Sequence, residues 1–414
     1  MSRKDDDIEF QAQVAAWLFD KMHFKQEQIA EHLGIRQPDV SRRLKLAEER
    51  GWLSRPVFIR SKDISEQRLT EIENAFYQKL PELRRGIERL SRRNQPNADP
   101  PQVHVFFSGP TATDKAGYHK RQQLFGWNAA LYVRELVPKM HRIGVAWGKT
   151  IARLIDGMRP LHPKFERGTL FYPVSGEPLR EHGEENSATM LAAGLQAFVG
   201  GSPAEGPGLN MVIPCIPDRF SRDVTDEIKR SLLGQVEGYQ RIFLGEAGQS
   251  PLIDEMDTLI TGVGTASKTS TDPWLIERVN SMRDQPPLTR EDFEAYTFGD
   301  IGGVYLLRPD LVKIITSRHG KNGGAGNGKG PRERGVSVEA KIRRINDQWT
   351  GIQREHVARC AERARTTGQT AGVIVLAIGR AKSGTVIEAV NQSLVNHLLI
   401  DQDLADALVD DLQS

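Results

Sequence analysis

The sequence predicts an α/β protein in two parts, an N-terminal all-α helix-turn-helix unit over residues 1–60 and a larger Rossmann-like α/β domain over 102–414. A helical connector and linker over 61–101 joins them. Two observations carry this reading. Early in the chain, apolar residues recur at helical steps on either side of a glycine turn. Past a proline- and asparagine-rich linker, short β-branched or aromatic runs alternate with helical stretches, the pattern of a largely parallel sheet covered on both faces.

Length and composition agree. At 414 residues the chain has room for two or three domains of about 150 residues each and a core that needs no staples. The formal net charge of +2 says little about partners. Cys215 and Cys360, the only cysteines, are too few for a disulfide framework or a zinc cluster, and suit a reducing compartment. The start, Met-Ser-Arg-Lys-Asp-Asp-Asp, leads into no apolar signal core, and no run is long enough to span a bilayer. A soluble, cytoplasmic chain without membrane partner, metal or cofactor is expected.

In the first unit, Val14, Leu18 and Met22 mark an amphipathic helix from Phe10 to Met22. A second helix fits Gln26–Leu33, with Ile29, Ala30 and Leu33 turned inward. Gly34 supplies a tight turn, Ile35 fills its corner, and Pro38 suits the first turn of a third helix closed by Gly51. That helix turns Val40, Leu44 and Ala47 inward and Ser41, Arg42, Lys45 and Glu49 outward. Two short helices about a glycine turn form a helix-turn-helix. Gln37, Asp39, Ser41 and Arg42 would then reach base edges of double-stranded DNA, with Arg43 and Lys45 nearer the phosphates. The competing reading is a three-helix structural or protein-binding domain. Arg36 stands where a capping Ser is more usual. Trp52–Ile59 fits a short extension beside the module, as in a winged helix-turn-helix.

In the connector, Ile72, Phe76, Leu80, Leu83, Ile87 and Leu90 suit one apolar stripe, which Pro81 kinks unless it starts a new helix. Arg84, Arg85, Arg89, Arg92 and Arg93 read as a solvated face before a DNA contact. Asn94–Pro101 is the linker.

Strands are predicted at Val103–Phe107, Ile143–Ala146, Leu170–Ser175, Met211–Pro214, Arg241–Leu244, Leu259–Val263, Val304–Leu307 and Val373–Ile378. Helices are predicted at Gln122–Val137, Ser187–Phe198, Arg222–Glu237 and Thr385–Leu394, with a charged helix or helix pair over Val336–Arg365. Gly200–Gly208 reads as a flexible loop, and a glycine-rich basic insertion near 319–335 as mobile.

Ile143–Ile155 is the stretch richest in chemistry. A buried strand, a turn bracketed by Gly144 and Gly148, and a new helix aim backbone N–H groups at one point, where Lys149 and Thr150 add an ammonium and a hydroxyl. Gly-Lys-Thr suggests a nucleotide P-loop, but only Val145, Ala146 and Trp147 separate Gly144 from Gly148, where a P-loop needs four residues. The later strands run into glycine instead of a magnesium-binding Asp. An anion site of another kind and an ordinary tight turn both stay open.

Together these residues resemble the SorC family of bacterial transcriptional regulators, grouped with deoxyribonucleoside regulators. Gln26–Ile35 followed by Pro38–Arg42 looks like the family's winged helix-turn-helix. Ala129–Leu136 leading into Ile143–Thr150 is the most specific match. Asp257–Gly264, Gly299–Gly302, Ala377–Lys382 and His397–Asp403 follow in the family's order. The resemblance implies a sugar-binding domain with the fold of sugar-phosphate isomerases and deaminases. It also implies operator binding as a homodimer or homotetramer, altered by a sugar, polyol or phosphosugar. Carried onto this chain, Gly144, Trp147, Gly148, Lys149 and Thr150 form a first effector loop, Gly262 and Gly264 a second, and Asp300 and Lys382 complete the pocket. Lys149 stands where the family more often has a neutral residue or Arg, and Arg43 replaces the usual Leu of the recognition helix.

The alternative is a sugar-phosphate isomerase or deaminase with an attached DNA-binding domain. Asp300, Glu177, Glu181, His182 and His319 are its candidate acids and bases, none in a recognisable catalytic motif. The expected reading is a regulator with no catalytic residues.

Overall fold

The computed structural model describes residues 3–20, 25–50, 53, 77–96, 98–111, 114–161, 163–166, 168–175, 187–199, 222–246, 248–266, 289–308 and 331–413. Two compact units divide the chain, Met1–Asp63 and Ile64–Ser414.

The first unit holds α1 (Arg3–Asp20), α2 (Gln26–Leu33) and α3 (Gln37–Glu49). Its core is small: Ala12, Ala15, Ala16, Leu18, Ile29, Val40, Leu44, Ala47 and Leu53. Alanine on α1 lets the helices approach closely, and the inward face of α3 is the predicted Val40, Leu44 and Ala47. Gly34 ends α2 at φ 62°, ψ 31°, and its N–H donates to the carbonyls of Ala30 and Glu31. A side chain there would meet nothing, so the left-handed backbone is what requires glycine. Arg36 opens α3 without a side-chain cap, Pro38 sits in the first turn, and α3 ends in right-handed conformation at Arg50. Gly51, and all but Leu53 of the predicted Trp52–Ile59 extension, lie outside the described residues.

The second unit is built on a six-stranded parallel sheet in the order β1-β8-β7-β4-β2-β3. Its strands are β1 (Gln102–Phe106), β2 (Arg142–Val145), β3 (Leu170–Pro173), β4 (Thr258–Gly262), β7 (Gly372–Ala377) and β8 (His397–Asp401). A two-stranded antiparallel hairpin, β5 (Thr297–Ile301) and β6 (Val304–Leu307), stands apart from it. Helices α4 (Leu80–Arg92), α5 (Lys115–Leu136), α6 (Lys149–Met158), α7 (Ala188–Gln196), α8 (Arg222–Ser231) and α9 (Arg290–Tyr296) come first in order. They are followed by α10 (Pro331–Gln348), α11 (Arg354–Thr367), α12 (Ser383–Asn391) and α13 (Gln402–Gln413). Strands β4, β7 and β8 are almost wholly buried, as a parallel sheet covered on both faces requires.

Several predicted elements differ. Arg241–Leu244 is no strand but a π-helical turn over Gln240–Leu244, in which Ile242 enters the core and Phe243 stacks on Tyr239 at 5.0 Å. Three apolar residues in a row, Ile242 to Leu244, cannot be told from a helix segment by periodicity. Val304–Leu307 is a strand, but pairs antiparallel in the hairpin. Met211–Pro214, Gly200–Gly208 and the insertion as far as residue 330 lie outside the described residues; residues 331–335 of the stretch read as insertion belong to α10. The charged segment after it resolves into the helix pair α10 and α11.

Pro81 stands in the first turn of α4, which buries Leu83, Ile87 and Leu90. This helix packs on α12 and α13 instead of standing free: Gly86 faces Leu412, Tyr77 donates to Asp406 at 2.9 Å, and Asn94 donates to the Asn391 carbonyl. Arg84 donates to the carbonyl of Val103, while Arg85, Arg89, Arg92 and Arg93 are exposed, as a solvated face requires.

Two features position the site. Helices α5 and α6 cross at Gly126 and Gly157: a side chain on Gly126 would enter the Arg153 backbone, and one on Gly157 the backbone of Trp127 at 2.7 Å. The helices therefore touch backbone to backbone, which fixes where α6 begins. Second, the strand order reverses between β2 and β4, since β2 leads outward to β3 whereas β4 leads the other way to β7 and β8. Crevices at the carboxyl ends of strands at such a reversal are where open α/β sheets bind ligands.

Candidate operator interface and effector pocket

On α3, Gln37, Ser41, Arg42 and Lys45 are exposed, and Asp39 is half-buried. Asp39 is held on both sides, by Arg36 at 3.1 Å and by Arg42 at 3.0 Å. Ser41 donates to Gln26 of α2 at 2.8 Å, and Lys45 lies 4.0 Å from Glu49. Arg43 is the exception among the predicted contacts. It is half-buried and turns back to α1, donating from Nε to Gln11 at 3.0 Å. Arg36 was not among the predicted contacts, although its side chain is 80% exposed at the start of the helix. An arginine at an N-cap position is the signal that could have found it.

In the second unit, β2 runs through Val145 into Ala146 and Trp147, and Gly148 caps α6 at φ 136°. Its carbonyl accepts from Ile151 and Ala152, both at 3.1 Å. Lys149 is exposed, Thr150 is buried, and Trp147 is half-buried. The amides of Lys149 and Thr150 lie in the first turn, where a helix offers no acceptor of its own. No acidic side chain stands there. Gly144 lies deeper, within β2, and the space beside it is filled by Met256 and Val174, so it serves packing.

Beyond β4 the chain meets the β5–β6 hairpin. The Gly264 N–H donates to the Asp300 carbonyl at 2.9 Å, and Val263 bridges Ile301. One Asp300 carboxylate oxygen occupies the volume a Gly264 side chain would need, and the other accepts from the Gly303 N–H at 2.9 Å. Gly299 has φ 146°, and its missing side chain would enter the Gly264 carbonyl and Thr385 Oγ1. A side chain on Gly302, at the hairpin turn, would lie 3.9 Å from Ala146, which brings the hairpin over the end of β2. Ser175, just past β3, donates to the Gly302 carbonyl at 3.1 Å.

The turn after β7 completes the rim. Thr265 donates to the Ala381 carbonyl at 3.0 Å, and Thr385 to the Phe298 carbonyl at 2.7 Å. Lys382 ends this turn, half-buried, immediately before α12. The predicted loops Trp147–Thr150, Gly262–Gly264, Asp300 and Lys382 therefore share the carboxyl edge of the sheet at its reversal. Sequence reading missed Ser175, Thr265, Gly299 and Thr385, which stitch the loops together. For Ser175 and Thr265 the available signal was a hydroxyl just past a strand; Gly299 lies within β5 and Thr385 in the first turn of α12.

The predicted residues bring two lysines and one carboxylate to this edge, a balance suited to an anionic or hydroxyl-rich small molecule. Among the described residues no group of three or more His, Cys, Asp or Glu is placed to hold a metal ion. Nor is any described helix long and apolar enough to cross a membrane. Glu177, Glu181, His182 and His319 lie outside the described residues.

No family model matches the chain. A curated relative, the deoxyribonucleoside regulator of Bacillus subtilis (strain 168), is 31% identical over 150 residues, 36% of this chain and 39% of that protein. Among solved structures, a transcriptional regulator from Streptococcus pneumoniae TIGR4 superposes with a TM-score of 0.50 at 16% identity, covering 80% of this chain and 98% of that one. The full-length sorbitol operon regulator SorC from Klebsiella pneumoniae covers 98% of this chain and 99% of its own, with a TM-score of 0.47 and 16% identity. The resemblance to SorC and deoxyribonucleoside regulators read from the motifs is borne out, by a curated relative in sequence and by a transcriptional regulator in fold.

Proposed function

We propose that this chain is a sequence-specific DNA-binding transcriptional regulator whose operator binding is modulated by a sugar, polyol or phosphosugar. The observation that carries the reading is the pairing of two sites in one chain. Helix α3 buries Val40, Leu44 and Ala47 and exposes Gln37, Ser41, Arg42 and Lys45. The other unit gathers Trp147–Thr150, Gly264, Asp300 and Lys382 at a strand-order reversal. On this reading Arg42 and Gln37 contact bases, Lys45 contacts phosphate, and Arg43 supports α3 from behind. Lys149, Lys382 and the α6 amides hold the anionic part of the effector, while Asp300 accepts from its hydroxyls.

An effector shifts operator affinity only if it binds two states of the protein differently. A homodimer or homotetramer in the cytoplasm, acting on double-stranded operator DNA without cofactor, fits this mode of action. The chain acts by binding, not by catalysis; turnover of any sugar phosphate would overturn that part.

A thermal-shift panel of free and phosphorylated sugars and polyols tests the effector half. A true effector at one hundred times its Kd adds about 2.7 kcal/mol of stability and raises the melting temperature with concentration. A flat response across the panel, with operator binding intact, would indicate a constitutive DNA-binding protein with a degenerate pocket.

A further inference from the structure

Outside the proposed pocket lies an ionic network, buried at its centre, that the effector reading does not use. Asp401, at the end of β8, has no exposed surface. It accepts from the Arg121 guanidinium at 2.5 Å, from Ser108 Oγ at 3.2 Å, and from the N–H groups of Gly379 at 3.0 Å and Leu404 at 3.1 Å. Arg121, 5% exposed on α5, also donates to Asp403 at 2.6 Å, and Thr111 donates to Asp403 at 3.0 Å. Burial raises the pKa of Asp401, against the lowering influence of the two amides and of Arg121. Such pairs are seldom kept for stability, because well-packed apolar residues in their place are often neutral or stabilising.

Its position indicates another use. The Gly379 N–H that Asp401 holds opens the turn ending in Lys382, and the Gly379 carbonyl accepts from the Lys382 N–H at 3.2 Å. At the other end, Arg121 belongs to α5, whose Gly126 meets the backbone of α6, the helix that begins at Lys149. One buried bridge thus ties together the supports of both lysines.

We propose that Asp401 and Arg121 are positioning residues of the effector pocket, setting the Gly379–Lys382 turn relative to the α5–α6 pair. This rests on the effector reading for its functional half only. Removing the bridge frees the Gly379 amide and lets the Lys382 turn move, while the apolar core beneath stays packed. Partners of this kind, one step behind the binding groups, typically change affinity by about 10- to 100-fold when lost at metal sites, and the same range is expected for effector binding here.

The test is the apolar pair Arg121→Met/Asp401→Leu in the full chain, with Asp401→Asn as the milder variant should the pair fail to fold. Hydrogen exchange is measured on the backbone amides of 379–382 and of β7 and β8. The expected result is exchange at least about tenfold faster across the turn, with β7 and β8 still protected. Unchanged exchange at the turn, or equal loss across β7 and β8, overturns the proposal, the latter by showing a merely structural pair. A second arm titrates glucose-6-phosphate and ribose-5-phosphate into wild type and variant by calorimetry. Weaker binding by about 10- to 100-fold is expected, and equal affinity in a variant whose turn has loosened overturns the functional half. If neither compound binds the wild type, the choice of effector fails, and the exchange result still decides whether the bridge positions the turn.

Discussion

Helices α3 and α6 both begin with an exposed polar residue, Gln37 and Lys149, yet the two starts are built in opposite ways. At α3 the functional groups are side chains: Arg42 is 70% exposed, and Asp39 lies between it and Arg36. The backbone below rests on a small core of alanine, leucine, isoleucine and valine. At α6 the functional groups are mainly backbone and empty volume: a glycine cap, first-turn amides, and glycines whose absent side chains admit Asp300, Thr385 and neighbouring backbone. The first design lets contacts change without disturbing the fold. The second makes site and fold inseparable, so a single methyl group can damage both.

The largest effect should follow Gly299→Ala. The new methyl group enters the Gly264 carbonyl and Thr385 Oγ1 at a φ of 146°, which alanine rarely adopts. A loss of about 3 kcal/mol or more is expected in denaturant unfolding of the second unit. A loss below about 0.5 kcal/mol would mean that the pocket is not built on excluded volume.

Acid should separate the two regions next. Burial lowers the pKa of His397 to about 4, with His104 adding to the shift, and Tyr132 lies 2.8 Å from its ring nitrogen. Because the folded pKa lies below the unfolded value of about 6.5, the unfolded chain binds the proton first. Stability should be independent of this group above about pH 6.5 and fall by about 1.4 kcal/mol per unit between 6.5 and 4. Burial lowers His356 of the same unit to about 4 as well, so His397→Gln should remove about half of the total slope, as read by melting temperature across the range.

Arg42→Ala should weaken operator binding by about 1–3 kcal/mol and relax preference at one base position, leaving the melting temperature unchanged. Lys45→Ala should weaken binding to all sequences alike and reduce the salt slope by about one. Anisotropy at several salt concentrations distinguishes them, and identical behaviour would remove the division between base and phosphate contacts. The smallest change is expected from Lys149→Ala, which should lower effector response while sparing effector-free DNA binding and fold. An unaltered response would reduce the α6 start to a structural turn.

Much of this was legible in the chain. Gln26–Leu33 is a helix with the predicted bounds, because periodicity, a glycine stop and Pro38 agree there. Parallel strands were found where β-branched runs meet glycine. β5 and the parallel strand β8 were not: Thr-Phe-Gly-Asp-Ile mixes good and poor strand formers and is held by its partner hairpin strand, and His-Leu-Leu-Ile-Asp carries a single β-branched residue between two parallel partners that hold it. The loops of the pocket could be named from motifs, but not the hydroxyl bonds of Ser175, Thr265 and Thr385 that join them. The Asp401–Arg121 bridge spans 280 residues of sequence and leaves no local pattern at all. Arg43 misled for a similar reason: its helical position faces outward at the edge, and only the presence of Gln11 turns it inward.

The most direct test is one titration. The full chain selects a duplex from a random pool, and anisotropy then follows that duplex as members of the sugar, polyol and phosphosugar panel are added. At least one compound should change operator affinity by about fivefold or more, the range of ordinary allosteric coupling, and Lys149→Ala together with Lys382→Ala should abolish that change without altering affinity in its absence. A selected duplex whose affinity responds to none of the compounds, or a response that survives loss of both lysines, would contradict the account.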